Sequence, residues 1–130
     1  MRTFFLFILV CAVAVAKAQT QSDGTWVVVR QEMGGKALPS AAFAGQKLIL
    51  KDSTYTVIAE SVDKGTVKVN GRKMDIYGTD GTNKGKHYTA IYQIKDGQLT
   101  VCYNLAGDSY PDTFDTAGHP MFFLSVFKRE

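Results

Sequence analysis

Outside its N-terminal segment the chain has one cysteine, Cys102, and two histidines, His87 and His119, from which a thiol nucleophile and its base could be built. Such a nucleophile needs an adjacent base or another means of lowering its pKa. No local signature surrounds Cys102, and no segment supplies an evident oxyanion hole. Cys102 also lies within the β-rich run 99–103, where a free cysteine is usually a buried apolar residue. The sequence therefore predicts an inert thiol and no enzyme activity, with a Cys102–histidine hydrolase as an alternative hypothesis.

The sequence gives less support to a metal site or a phosphate-binding loop than to a thiol nucleophile. His87 and His119 lie 32 residues apart with no neighbouring cysteine or histidine, whereas zinc ligands are usually paired at short spacing. The glycines of 78–86 resemble a phosphate loop, but Asp80 replaces its first glycine and His87 its Ser/Thr. Asp112 and Asp115 could act as an acid–base pair, yet residues of this type beside proline and glycine are usually turn formers. The sequence predicts neither a metal site nor a cofactor.

Arg30 is the residue best suited to hold a ligand. In a regular strand it shares a face with Trp26 and Val28, so it would point into the protein. A buried charge is rarely left unpaired. Arg30 could lie at an open rim or pair with an acid such as Asp75, or it could bind an anion, because its planar fork matches a carboxylate. In the second case the hydroxyls of three tyrosines would assist it: Tyr88, Tyr92 and Tyr103.

The elements that must position these residues are strands. Short β-rich runs recur between Gly, Asn and Asp turns, as expected for consecutive antiparallel hairpins. The predicted strands are Trp26–Glu32, Gln46–Lys51, Thr54–Val62, Thr66–Val69, Lys73–Gly78, Lys86–Ile94, Gln98–Leu105, Asp112–Thr116 and Met121–Lys128. Pro39–Gly45 has proline first and glycine last, which predicts a short helix or helical turn after the first strand.

Apolar residues alternate with other residues along these strands. Each strand therefore has one apolar face and one mixed face. Three sets share a face: Tyr88, Ala90, Tyr92 and Ile94; Leu99, Val101 and Tyr103; Tyr55, Val57 and Ala59. This is typical of a barrel wall between a core and water. The sequence predicts an all-β, antiparallel up-and-down barrel of about eight strands; a two-sheet sandwich has the same pattern.

Residues 1–18 are predicted to be a signal peptide. Met1-Arg2 precedes a nearly unbroken apolar run, and Ala16-Lys17-Ala18 fits a small-x-small cleavage site. An uncleaved anchor is the alternative. Residues 19–130 would then form one exported domain, periplasmic or extracellular, with no membrane span. Cleavage removes two of the 15 basic residues and none of the 12 acidic ones, so the net charge falls from +3 to +1. This near-neutral charge argues against nucleic acid as a partner, and the one cysteine left, Cys102, allows no internal disulfide.

Gly24-Thr25-Trp26, at the start of the first strand, resembles the Gly-x-Trp signature of lipocalins and the wider calycin superfamily. In that resemblance Gly24 lets the strand bend and Trp26 plugs the closed end of the barrel. Arg129, or alternatively Lys128, would lie over the indole ring as a cation–π partner.

From Gly24 to the C-terminus the chain is also similar to a family of small, secreted, bacterial lipocalin-like domains, first grouped as an uncharacterised planctomycete domain. The resemblance continues through Gly35–Pro39, Gly45, Tyr55–Val57, Lys64–Thr66, Asp75, Lys84–Lys86, Ile91-Tyr92, Asp96–Leu99, Cys102-Tyr103, Pro111–Phe114 and Lys128–Glu130. Tyr110 departs from it, because relatives carry arginine there. The resemblance implies a fold and export, but no established activity.

Two functions follow for such a domain. The first is binding of a small apolar or amphipathic molecule inside the barrel, oriented by Arg30 and the tyrosines. The alternative is a barrel filled by its own side chains that acts as a protein-interaction or envelope module, its partner unidentified. The large residues that could fill the centre are Phe43, Tyr88, Tyr92, Tyr103, Phe114 and Phe123; the two functions differ in whether these leave a cavity.

Overall fold

The computed structural model describes residues 21–130, so the predicted signal peptide and cleavage site lie outside the described residues. The described chain is built almost entirely of strands. They are β1 (Gly24–Met33), β2 (Lys36–Ala37), β3 (Lys47–Lys51), β4 (Thr54–Ile58), β5 (Val62–Asn70), β6 (Lys73–Asp80), β7 (His87–Lys95), β8 (Gln98–Asn104) and β9 (Phe122–Arg129).

The strands form one closed antiparallel barrel. Each strand from β3 to β8 pairs with the next strand along the chain, and β1 pairs with β3 on one side. On its other side β1 pairs with β9, from Trp26 opposite Arg129 to Met33 opposite Phe123. Eight strands therefore close the wall, and β2 extends it as a short hairpin on the far end of β1. The predicted antiparallel barrel of about eight strands is confirmed.

The two ends of the barrel differ. At one end, which we call the floor, β3–β4, β5–β6 and β7–β8 are joined by two-residue turns. Asp96 and Gly97 both have positive φ, as in a type I′ turn whose twist matches the flanking strands. At the other end, the mouth, the connections are residues 34–46, which include β2, and residues 59–61, 81–86 and 105–121. The longer segments therefore gather where a ligand could enter.

The alternation predicted for the strands is present, except that Ala59, predicted to share a face with Tyr55 and Val57, is exposed and lies beyond the end of β4. Tyr55, Val57, Tyr88, Ala90, Leu99 and Val101 all belong to the inner core, together with Trp26, Leu48, Val67 and Phe127. Their neighbours in sequence face outward, as a strand period of two requires. The barrel wall thus separates the apolar side chains from water along most of its length.

A second apolar cluster lies on the outer surface of the wall. Ile91 pairs with Cys102, which pairs with Leu124, so these side chains share the outer face of β7, β8 and β9. The 105–121 connection packs over them through Phe114. Its Thr116 is buried and its hydroxyl oxygen accepts a hydrogen bond from the Gly35 N–H at 2.9 Å.

The prediction of a strand over Asp112–Thr116 is therefore wrong. In the structure this segment is a loop that covers the outer cluster. Its apolar and β-branched residues pair with no strand. Phe114, counted as a possible filler of the barrel centre, lies outside the wall, with the Arg72 guanidinium 5.7 Å from its ring centre.

The helix predicted after the first strand is also absent. Ser40–Ala42 forms a single 3₁₀ turn, and it follows β2. The N–H groups of Ala42 and Phe43 bond three residues back, to Pro39 and Ser40. Initiating an α-helix is costly, and Gly45, with φ +78°, ends the segment before further turns could compensate. Among residues 21–130, no helix is long and apolar enough to cross a membrane.

Candidate functional site

The barrel encloses a cavity of about 320 Å³ between the floor and the mouth. Apolar side chains from strands all around the wall form most of its surface, including Val28, Leu48, Val67, Ile76, Val101 and Phe127. Polar side chains are few. Apart from Lys47, Tyr55 and Tyr103, they lie in two groups, one on β1, β9 and the residue before β3, and one beside the 81–86 connection. The core side chains therefore do not fill the centre of the barrel.

The first polar group is Gln31, Gln46 and Ser125. Gln31 and Ser125 face each other across the β1–β9 pairing, and their residues are only 6% and 2% exposed. The Gln31 amide Nε2 donates to Ser125 Oγ at 3.3 Å and to Gln46 Oε1 at 3.5 Å. All three residues border the cavity, so an otherwise apolar wall carries a hydrogen-bonding patch.

The second polar group is held by the 81–86 connection. The Tyr88 hydroxyl donates to Asn83 Oδ1 at 2.9 Å, and the backbone N–H of Asn83 donates to Asp63 Oδ1 at 3.2 Å. Tyr88 and Asn83 border the cavity, and Asp63 is buried beside them. These bonds fasten the connection across one side of the mouth.

The tyrosines of the barrel interior remain neutral donors. Burial raises the pKa of Tyr55, Tyr88, Tyr92 and Tyr103, and the negative charge of Asp63 raises the pKa of Tyr55 and Tyr88 further. Of the three tyrosines predicted to bind a ligand, Tyr88 and Tyr103 border the cavity. Tyr92 packs against the inner core farther toward the floor, away from the cavity surface.

Arg30 does not point into the barrel, so its predicted interior role is wrong. The register of β1 against β9 shifts between Val28 and Arg30, which is a β-bulge with Val29 as the extra residue. A bulge reverses the alternation beyond it. Gln31 consequently takes the inward position, while the Arg30 side chain is 57% exposed and pairs with Glu32 on the outside.

The floor is closed by Trp26. Its side chain is fully buried, and the indole Nε1 donates to the backbone oxygen of Ser22 at 2.9 Å. The Arg129 guanidinium carbon lies 4.2 Å from the ring centre. Gly24, with φ +140°, leaves the space that Arg129 occupies, because a Cβ there would lie 2.6 Å from its Nη1. The floor is thus a tryptophan capped by a cation.

Cys102 is not poised for nucleophilic chemistry. It is fully buried in the outer cluster, and burial, with the nearby Glu32 charge, raises the pKa of its thiol to about 11. His119 stacks on Phe122, and His87 stacks on Tyr77. Within residues 21–130, neither histidine bonds the thiol. In the same part of the chain, no group of three or more His, Cys, Asp or Glu residues could hold a metal ion.

Asp75 joins two segments on the outer wall. One carboxylate oxygen lies 2.8 Å from His87 Nε2, and the other accepts a hydrogen bond from the Tyr110 hydroxyl at 2.6 Å. Position 110, where the resemblance expects arginine, binds Asp75 through the tyrosine hydroxyl. The contact fastens the 105–121 connection to β6 and β7.

This arrangement predicts acid sensitivity. Burial raises the pKa of Asp75, but hydrogen bonds from Tyr110 and His87, with the charges of His87 and Lys68, outweigh it and hold this pKa below its usual 3.8. Stabilisation by ionised Asp75 is therefore complete above about pH 4–5 and is lost as the pH falls through the lowered value. Urea unfolding from pH 2 to 6 should show the stability gap between wild type and Asp75→Asn closing below about pH 4. Asp96→Asn is the control, with no gap expected; an Asp75→Asn gap unchanged at the lowest pH would contradict the assignment.

Sequence reasoning missed Gln31, Gln46, Asn83 and Ser125. Ser125 did carry a signal, because it alternates with Phe123 and Phe127 on an otherwise apolar strand face. Gln31 carried none, since its inward direction depends on a bulge that the regular period of a strand does not show.

No family model matches the chain, and no curated protein is similar to it. The resemblance to secreted lipocalin-like domains therefore stays a prediction.

Proposed function

We propose that this protein binds a small, largely apolar molecule inside its barrel, as a lipocalin-like binding domain that acts outside the cytoplasm. The observation that carries the proposal is the 320 Å³ cavity with an apolar wall and a few convergent polar groups. Ligand sites are typically concave, mostly apolar and polar at a small number of points. The Gly-x-Trp floor and the predicted leader support the lipocalin-like and exported parts of the proposal.

The volume of the cavity limits the size of the ligand. Its volume lies at the lower end of the usual range for ligand pockets, about 300–1,000 Å³. Taking roughly 30 Å³ for a water-sized group, the cavity holds a molecule of about ten non-hydrogen atoms. Each CH₂ group that leaves water contributes roughly 0.8 kcal/mol, so a short alkyl chain supplies most of the binding free energy. The proposed role needs no catalytic group.

Filling the cavity tests the proposal. Val67→Phe and Val101→Phe each enlarge a buried side chain on the cavity wall, and we expect each to reduce binding of medium-chain amphiphiles at least tenfold. Binding is measured by titration calorimetry, and the cargo of the native protein by mass spectrometry without detergent. Val62→Phe makes the same change at an exposed position of β5 and should leave binding intact.

The outcomes separate the two functions. A bound molecule that both cavity variants lose, and the Val62→Phe control keeps, supports a binding protein. A clean apo mass, with no binding of any amphiphile, would overturn the proposal and favour the interaction module instead. Two filling variants from different strands guard against one of them failing to fold, which circular dichroism would show.

A further inference from the structure

The polar patch on β1 and β9 has hydrogen-bonding capacity that the protein does not use. Within residues 21–130, the Gln31 side chain bonds only through its Nε2 atom, and Ser125 Oγ only accepts. In this part of the chain, the side-chain oxygen Oε1 of Gln31 and the hydroxyl proton of Ser125 therefore have no hydrogen-bond partner. No fully occluded side-chain nitrogen or oxygen in this part of the chain lacks a partner, so the Gln31 oxygen must reach accessible space. Both residues border the cavity.

Burial makes these two groups significant. Gln31 and Ser125 are more than nine-tenths buried, and leaving such polar groups unpaired against an apolar ligand is unfavourable. A ligand group that both donates and accepts hydrogen bonds would pair with both at once. A hydroxyl does this with a single oxygen, because it donates a hydrogen bond to Gln31 Oε1 and accepts one from the Ser125 hydroxyl.

The charges around the cavity disfavour an ionised ligand. The one ionised side chain on its lining, Lys47, forms an ion pair with Glu130 on the outer surface. Arg30 is outside the wall. The carboxylate of Asp63 is buried beside the second polar group and raises the pKa of two cavity-lining tyrosines, Tyr55 and Tyr88. A carboxylate in the cavity would therefore lose its hydration without gaining a cation.

We propose that the ligand is an uncharged amphiphile whose hydroxyl group is bound by Gln31 and Ser125, with its apolar chain in the cavity. This inference rests on the proposed binding function and specifies its ligand class. It also replaces the anionic ligand that an interior arginine would have selected. Tyr103, one step along the inner face toward the mouth from Val101, is the adjacent phenol on the same wall.

Four eight-carbon probes with different head groups test this inference: octanol, octanoate, octylamine and chlorooctane. They are titrated at pH 7 into the wild-type protein and into Gln31→Leu and Ser125→Ala. We expect octanol to bind wild type at least tenfold more tightly than octanoate or octylamine. Each substitution should weaken octanol binding about three- to tenfold, the range of one lost hydrogen bond, and leave chlorooctane binding unchanged. Arg30→Ala is the control and should match wild type with every probe.

Each other result has a definite meaning. Retained chlorooctane binding shows that a variant is folded, so octanol affinity unchanged in both variants would overturn the assignment of Gln31 and Ser125. Equal affinity for octanol and octanoate would overturn the neutral ligand class while leaving the binding function in place. Tighter octylamine binding would overturn it too and place the head group beside Asp63. Binding of none of the four probes would remove the proposed function itself.

Discussion

Replacing Trp26 with alanine is expected to destabilise the barrel by about 3–5 kcal/mol, the usual cost of removing a large buried aromatic side chain. Trp26 is fully buried at the floor, its indole donates a hydrogen bond to Ser22, and Arg129 covers its ring. The substitution removes the packing, the hydrogen bond and the cation–π partner together. Urea unfolding followed by circular dichroism measures the loss.

Two further variants separate the contribution of the aromatic ring to stability from that of the Arg129 cation. Trp26→Phe retains a ring and should recover part of the stability. Arg129→Ala removes the cation above the ring and should cost about 0.5–2 kcal/mol. A cost below about 1 kcal/mol for Trp26→Ala would contradict the role of this residue as the floor of the barrel.

Gly65→Ala is the second large expected effect. Gly65 has no positive φ, so its backbone conformation suits alanine, and the obstacle is space. An added Cβ would lie 2.0 Å from the Tyr77 carbonyl oxygen and 2.5 Å from Tyr55 Cε1. Since Tyr77 presents backbone there, β5 and β6 must move apart, and we expect a loss of at least about 1–3 kcal/mol.

The test compares neighbouring positions on one strand. Thr66→Ala, on the exposed side of β5, should change the unfolding free energy by less than about 0.5 kcal/mol. Gly65→Ala should also weaken ligand binding, because Tyr55 borders the cavity. Equal stability of the two variants would contradict the close packing of β5 against β6.

Most strands and their faces could be predicted from the sequence because strand alternation is local. The boundary between β4 and β5 is an exception: the sequence predicts one strand over Thr54–Val62, but residues 59–61 interrupt it and Val62 begins β5. Residues such as Val57, Ala90 and Val101 show their inward direction through the apolar residues two positions away. The connection 105–121 could not be predicted in the same way. Its apolar residues have strand composition, but they cover an outer cluster whose members belong to three distant strands.

The candidate site was harder to predict than the fold. Its central feature is the bulge at Val29, which turns Arg30 outward and Gln31 inward. The bulge exists only in the pairing of β1 with β9, so nothing within residues 24–33 reveals it. One inserted residue thereby changes the wall of the cavity from cationic to neutral, and with it the class of molecule that fits.

The pairing of β1 with β9 has a topological consequence. It brings Trp26 beside Arg129, and the Arg129 side chain reaches the backbone oxygens of Gln21 and Asp23. Both ends of the described chain thus leave the barrel at the floor, and the cavity opens at the opposite pole. A fusion partner or surface tether attached at either end would leave the entrance unobstructed, and a short linker between the ends would suit circular permutation.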